Sequence, residues 1–270
     1  VAGSLIGQVA LITGASSGIG YEAALAFARA GVHVIACARR RDRLQELERA
    51  VAGLPRPHGE ILIAEADVRD SAALQRAAAA GVERFGRLDI VVANAGVGQR
   101  GSIADSDWAD LDALIRINID GVLHTIRAGV PAIRAGGRGG AIVIVSSVVA
   151  NMTAPYAAVY SASKAFVSSI ARSLRLELEA DRIRVIDLLV GRTETEFSAN
   201  RLGVSGHAAR APRLPVMSAS CVAARMVEAV ACGTNGALAL RWFDRLIVWA
   251  NALVPGVIGR RALRQYRTDS

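Results

Sequence analysis

Val9-Ala-Leu-Ile-Thr-Gly-Ala-Ser-Ser-Gly-Ile-Gly20 decides the fold. A short apolar run ends in a glycine-rich turn, and Tyr21 to Ala30 then reads as a helix closed by Gly31. Glycines at such a turn let a pyrophosphate approach the backbone amides at the helix N-terminus. The spacing of Gly14, Gly18 and Gly20 is G-x-x-x-G-x-G, not the G-x-G-x-x-G fingerprint. Gly14, Ser16, Ser17, Gly18, Ile19 and Gly20 are thus candidate phosphate-binding residues, although a tight structural turn uses similar glycines.

Outward from this stretch the chain alternates. Strand-like runs cover Val32 to Cys37, Glu60 to Ala66, Ile90 to Ala93, Ala141 to Val145 and Ile183 to Val190. Helix-like segments cover Arg41 to Ala52, Ser71 to Phe85, most of Trp108 to Ala135, and Tyr156 to Ala180. Continuous Val/Ile/Leu runs fit strands buried on both faces, and short strand–helix connections imply a parallel sheet. The predicted fold is a single-domain α/β, Rossmann-like doubly wound sheet with helices on both faces. Its ligand crevice lies beyond the carboxyl ends of the strands. Residues 1–240 are expected to form the dinucleotide-binding and catalytic domain, with a substrate loop at about 193–215. Within it Ser218 to Ala231 reads as helix and Gly236 to Leu240 as a last strand. Residues 241–270 read as an apolar helical extension broken at Pro255-Gly256.

Composition bounds the partners. The chain has 270 residues, 52% of them apolar, which suffices for a packed core. Its formal charge of +8 raises the question of nucleic acid, but the basic residues are scattered and no aromatic–basic stripe suggests base stacking. Of the 32 lysines and arginines, Lys164 is the only lysine. Cys37, Cys221 and Cys232 have no metal-ligand spacing and are odd in number, so no metal site is expected and a reduced, cytoplasmic compartment fits. No signal peptide is visible, and no apolar stretch reaches the ~20 residues that span a bilayer.

The strand ends carry the candidate chemistry. After the second strand, Ala38 stands where a carboxylate would bind a ribose 2′-hydroxyl, and Arg39 follows, able to fork onto a 2′-phosphate. NADP is therefore expected over NAD. Asp67, before Val68, can accept from an adenine amino group or cap the next helix. Asn94, Ala95 and Gly96 end the fourth strand, where small residues leave room for a nucleotide; Asn94 can equally bridge neighbouring strands. Ser147 closes the fifth strand, and Tyr160 and Lys164 share one helix face at i, i+4. A nearby ammonium favours phenolate, which brings tyrosine into use as an acid or base. A serine hydroxyl can hold a carbonyl oxygen beside it.

Together these residues resemble the short-chain dehydrogenase/reductase family from about Gln8 to Thr195. The match comprises T-G-x-x-x-G-x-G at Thr13 to Gly20, N-A-G at Asn94 to Gly96, an asparagine at Asn118, a serine at Ser147, and Y-x-x-x-K at Tyr160 and Lys164. The resemblance implies that Tyr160 is the acid/base and that Lys164 lowers its pKa and bonds the nicotinamide ribose. It also implies that Ser147 orients substrate, that Asn118 holds a water in a proton relay, and that Arg39 goes with NADP. The family often reads P-G-x-x-x-T after the sixth strand. Here Val190 replaces the proline, while Gly191 and Thr195 remain and Arg192 and Thr193 lie between. The backbone there is expected to be less fixed, and Arg192 adds a charge that can attract an anionic substrate or simply face solvent.

The implied activity is NADP(H)-dependent interconversion of a ketone or aldehyde and an alcohol, in a homodimer or homotetramer packed through the helices that carry Asn118 and Tyr160. A nucleotide-sensing protein without turnover is the alternative, against which stands the complete Asn–Ser–Tyr–Lys set. Val149, Met152 and Phe197 are candidate apolar substrate contacts. The tail, Leu246 to Ile258, is apolar and flanked by arginines. It reads as a cover for the substrate pocket or a subunit interface, with a membrane-surface segment as the alternative.

Overall fold

The computed structural model describes residues 3–198, 200–203 and 216–264. Its strands are β1 (Val9–Thr13), β2 (His33–Ala38), β3 (Ile61–Glu65), β4 (Ile90–Ala93), β5 (Gly140–Ser147), β6 (Ile183–Val190), β7 (Thr193–Glu194), β8 (Met217–Ser218) and β9 (Gly236–Ala239). Seven of them form one sheet in the order β3-β2-β1-β4-β5-β6-β9. Every neighbouring pair is parallel. All residues of β1 and β4 are buried, as expected of continuous apolar runs at the centre of a parallel sheet. The order reverses between β1 and β4, so the crevice opens beyond Thr13 and Ala93.

Helices cover both faces. α1 (Gly18–Arg29), α2 (Arg41–Ala52) and α7 (Ala219–Ala231) pack on one side through Phe27, Leu44, Leu47 and Met226. α3 (Ser71–Phe85), α5 (Gly121–Gly136) and α6 (Ala158–Glu177) pack on the other through Leu74, Ile126, Ile133 and Val167. α4 (Trp108–Ile115) leads into α5, and α8 (Trp242–Leu253) and α9 (Pro255–Arg264) follow the last strand. The break at Pro255 falls where the sequence places it.

Two elements differ from the sequence expectation. The helix expected across Trp108 to Ala135 contains a π-helical turn at Arg116–Asp120, centred on Asn118. Such turns insert an extra residue and cluster at functional sites. The helix expected from Tyr156 begins at Ala158, because Tyr156 lies in the left-handed region with φ +58°. The expected substrate loop starts as β7, which pairs with β8, and continues as a 3-10 turn at Glu196–Ser198. Leu202 bridges to Gln99. Residues 204–215 of that loop lie outside the described residues.

Candidate active site

The glycine turn is built by close approach. A Cβ on Gly20 would stand 2.2 Å from the Gly14 carbonyl oxygen, and one on Gly14 would stand 2.9 Å from the Ala95 Cα. No side chain fits at either place. Asn94 Nδ2 donates to the Thr13 carbonyl at 2.9 Å, and the Asn94 amide donates to Thr13 Oγ1 at 3.2 Å. Asn94 thus ties β4 to β1 beneath the turn, which is the bridging role, and Ala95 and Gly96 present bare backbone beside it. Ser17 is the extended residue before α1, Gly18 begins the helix at φ +56°, and Ile19 packs against the core.

Arginine reaches this turn from the end of β2, and it is Arg40 that makes the contact. Its Nη2 donates to Ser17 Oγ at 2.8 Å and to Ser16 Oγ at 3.1 Å. It also pairs with Glu196 at 3.2 Å, and Arg43 lies 3.6 Å from the same carboxylate. Arg39, the residue singled out in the sequence, is exposed, and its charge acts on Asp67. Asp67 accepts three bonds from the Arg69 side chain, the shortest at 2.6 Å, and these hold its carboxyl below its ordinary range. Asp67 does not cap α3. Asp70 does, accepting from the Ala73 amide at 3.0 Å. Val68 is buried against Gly121, where a Cβ would lie 2.6 Å from Val68 Cγ2.

Asn118, Ser147, Tyr160 and Lys164 come together from three elements: the π turn, the end of β5 and the first two turns of α6. Asn118 is fully buried. Its Oδ1 accepts from the Val97 amide at 2.8 Å, and its Nδ2 donates to the Val97 carbonyl at 2.9 Å and to Ser163 Oγ at 3.1 Å. Both amide hydrogens are therefore engaged, and the side chain clamps the turn that follows β4. Ser163 gave no signal in the sequence. Ser147 Oγ donates to the Val190 carbonyl at 3.1 Å and accepts from the Val149 amide at 3.4 Å. Lys164 Nζ donates to the Val145 carbonyl at 2.9 Å and lies 6.0 Å from the Tyr160 ring centroid.

The electrostatics correct one expectation. Burial outweighs any pull of Lys164 on the Tyr160 phenol in this structure. Burial pushes it up to about 12, against the Ser147 hydrogen bond and the charge of Arg201. Burial also brings Lys164 down to about 8, against the pull of Asp187. Asp187, itself buried, accepts from Ser146 Oγ. It is a polar residue within β6 that the apolar pattern of the strand conceals.

On the substrate side, the Phe197 ring lies 5.8 Å from that of Tyr160, tilted by 55°. Val149 belongs to a 3-10 turn, Val148–Asn151, that follows Ser147, and Met152 ends that turn. Arg192 is exposed, and its carbonyl accepts from the Met217 amide at 3.0 Å. The Thr195 side chain approaches Gly18, where a Cβ would stand 3.1 Å away, and Thr193 Oγ1 donates to the Gly191 carbonyl at 3.1 Å. The looser backbone expected at Val190 is not found. Without proline, Val190 completes β6 in register with Ser147 and accepts its hydroxyl. Gly191 is braced from outside: a Cβ there would meet Arg241 Nη2 at 2.1 Å and Asp244 Oδ2 at 2.8 Å. Arg241 and Asp244 form a bidentate pair at 2.7 and 2.9 Å, with Asp244 buried. Neither residue was legible as part of the site, because the contact joins two parts of the chain about fifty residues apart.

Known proteins share this fold. The profile of the family described as short chain dehydrogenase matches residues 8–202. Sulfoacetaldehyde reductase 2 of Chromohalobacter salexigens is 39% identical over 197 residues, which cover 73% of this chain and 77% of that protein. A short-chain dehydrogenase from Mycobacterium paratuberculosis, crystallised with NAD, superposes with a TM-score of 0.78 at 31% identity and covers 88% of this chain and 97% of its own. An alcohol dehydrogenase from the archaeon Thermococcus sibiricus, complexed with 5-hydroxy-NADP, gives a TM-score of 0.72 at 26% identity, covering 87% of this chain and 96% of its own. Fold, profile and relatives converge on one assignment: the chain is an oxidoreductase of the short-chain dehydrogenase/reductase family.

Proposed function

We propose that the protein reduces a ketone or aldehyde to an alcohol with NADPH, and runs the reverse reaction with NADP. The observation that carries this reading is the Arg40 guanidinium lying on Ser16 and Ser17 with no carboxylate at Ala38. A planar cation beside two hydroxyls is a donor set for a phosphate, and the Glu196 carboxylate that pairs with Arg40 at 3.2 Å would have to give way to it. Arg39, one residue earlier, adds charge on the Asp67 side. The residues present fit a dinucleotide: Gly14, Gly18, Ile19 and Gly20 would hold the pyrophosphate, with Asp67 and Val68 beside the adenine. Ala95, Gly96, Gly191, Thr193 and Thr195 would line the remaining groove. At Gly96 a Cβ would stand 3.5 Å from Lys164 Nζ, so only bare backbone leaves the ammonium open to a ribose hydroxyl.

The nicotinamide, when bound, supplies the hydride. The chain supplies the proton. Tyr160, with its phenol pushed up to about 12, is protonated at neutral pH and suited to give that proton to a carbonyl oxygen. Ser147 Oγ can rotate from the Val190 carbonyl to hold the same oxygen. Lys164 carries the positive charge that steadies the phenolate left behind. Phe197, Val149 and Met152 give the substrate an apolar wall, and Arg192 favours an anionic group at its exposed end.

Exposed Trp108 on α4 and Phe166 and Leu176 on α6 support packing of two or four copies through those helices. All three cysteines are free, in keeping with a reducing, cytoplasmic compartment. The test is a panel of neutral and acidic ketones and aldehydes with NADPH and with NADH. Turnover is expected with NADPH, and Arg40→Ala is expected to raise the KM for NADPH about tenfold without changing that for NADH. Tight NADPH binding with no turnover of any carbonyl or alcohol would favour the sensor. Equal loss toward both cofactors would contradict the phosphate role.

A further inference from the structure

Helix α8 is built inside out. Its polar residues face the protein: Asp244 is 2% exposed and Asn251 8%. Asp244 holds Arg241, while Asn251 accepts from the Thr153 amide at 3.1 Å and donates to the Asn151 carbonyl at 3.0 Å. Four of its large apolar residues face away, while Phe243, Ile247 and Val248 are half-buried. Trp242, Leu246, Trp249 and Leu253 recur at i, i+4, i+7 and i+11, one helix face, and are exposed at 74%, 57%, 71% and 75%. Val254 and Val257 extend the exposure into α9. Two of the three tryptophans of the chain stand on this one face.

The charges around the face have one sign. Arg245 flanks both tryptophans at i+3 and i−4, and Val257, Arg260, Arg261 and Arg264 form the outward row of α9. These four arginines are exposed and make no ion pair among the described residues. The only acid from Trp242 to Arg264 is Asp244, which is buried and already paired. A second copy on a twofold axis would meet this face with the same arginines and no carboxylate from it to receive them. An anionic lipid surface offers what both features need, an apolar layer for tryptophan and leucine and phosphate charge for arginine.

We propose that α8 and α9 seat the protein on the surface of an anionic bilayer. No single described helix is long and apolar enough to cross a membrane, and the two helices are bent by 113° at Pro255. Together the bent pair meets the length and composition of a broken span, but the exposed arginine row of α9 belongs at the headgroups, so the contact proposed is peripheral; it stands independently of which cofactor or carbonyl the enzyme takes.

Flotation of the whole chain tests this. The probes are vesicles of phosphatidylcholine alone and of phosphatidylcholine with about one-quarter phosphatidylglycerol. Flotation is expected with the anionic vesicles, about tenfold weaker with the neutral ones, and lost as salt rises toward ~1 M and the Debye length falls to ~3 Å. Trp242→Ser with Trp249→Ser is expected to lower binding to anionic vesicles at least about tenfold while leaving NADPH affinity intact. Should that variant fail to fold, Arg260→Gln with Arg261→Gln and Arg264→Gln provides the same readout with the apolar face unchanged. Absence of flotation with either vesicle would overturn the proposal, as would equal flotation with both. So would a tryptophan variant that floats normally but turns an oligomer into a monomer by light scattering, which would assign the face to a second copy.

Discussion

The crevice end of the sheet and the α8–α9 segment solve the problem of polar groups in opposite ways. Around β1 and β4 apolar side chains fill the interior, and the polar atoms that sit deep, such as Thr13 and Asn94, bond to backbone. In α8 the interior side is polar and the apolar side points out. Burial therefore follows hydrogen bonding as well as hydropathy. A buried carboxylate is tolerated where its partner is fixed, and Asp244 is tolerated because Arg241 is. In return the pair sets Gly191, just after β6, against a firm support.

Breaking that support should give the largest stability effect. Asp244→Ala removes the buried carboxylate that holds Arg241 against Gly191, and the expected cost is about 3–5 kcal/mol, measured by chemical denaturation. Less than about 1 kcal/mol would mean that the pair behaves as an exposed one. On the other side of the comparison, Gly20→Ala forces a methyl to within 2.2 Å of the Gly14 carbonyl. The turn must move, at a cost of about 1–3 kcal/mol, and NADPH affinity should fall about ten- to a hundredfold by fluorescence titration. Affinity equal to wild type would show that the glycine turn does not shape the cofactor site.

Much of this fold was legible because its signals are local. The bounds Val9–Thr13, Arg41–Ala52, Ser71–Phe85, Ile90–Ala93 and Ile183–Val190 were set by apolar periodicity and by turn residues at each end. Spacing alone places Tyr160 and Lys164 on one helix face, and the grouping with Ser147 gained its weight from the family resemblance. What stayed hidden depends on side-chain reach. Arg39 and Arg40 are equivalent in sequence, and only the turn into α2 sends Arg40 to Ser16 and Ser17. The brace on Gly191 joins the end of β6 to the start of α8, and no local pattern announces it. The upward shift of Tyr160 depends on burial, which the sequence does not measure.

That shift, set beside Lys164, yields the mildest test. Lys164 is held down to about 8, so its ammonium is present below that pH and is lost above it, while the Tyr160 phenol keeps its proton up to about 12. The rate of carbonyl reduction should therefore fall through about pH 8 as Lys164 loses its charge. In Lys164→Arg, whose charge persists, the fall near pH 8 should disappear whatever activity remains. A profile with the same fall in both proteins would assign it to another group.

The central step is the proton delivered by Tyr160, and Tyr160→Phe tests it directly. The substitution removes one oxygen and leaves the ring against Phe197. Single-turnover reduction of a carbonyl substrate with NADPH should fall by about 10²–10⁴-fold, with NADPH affinity unchanged within a factor of about three. Full turnover by Tyr160→Phe would contradict the assignment and place the acid elsewhere in the site.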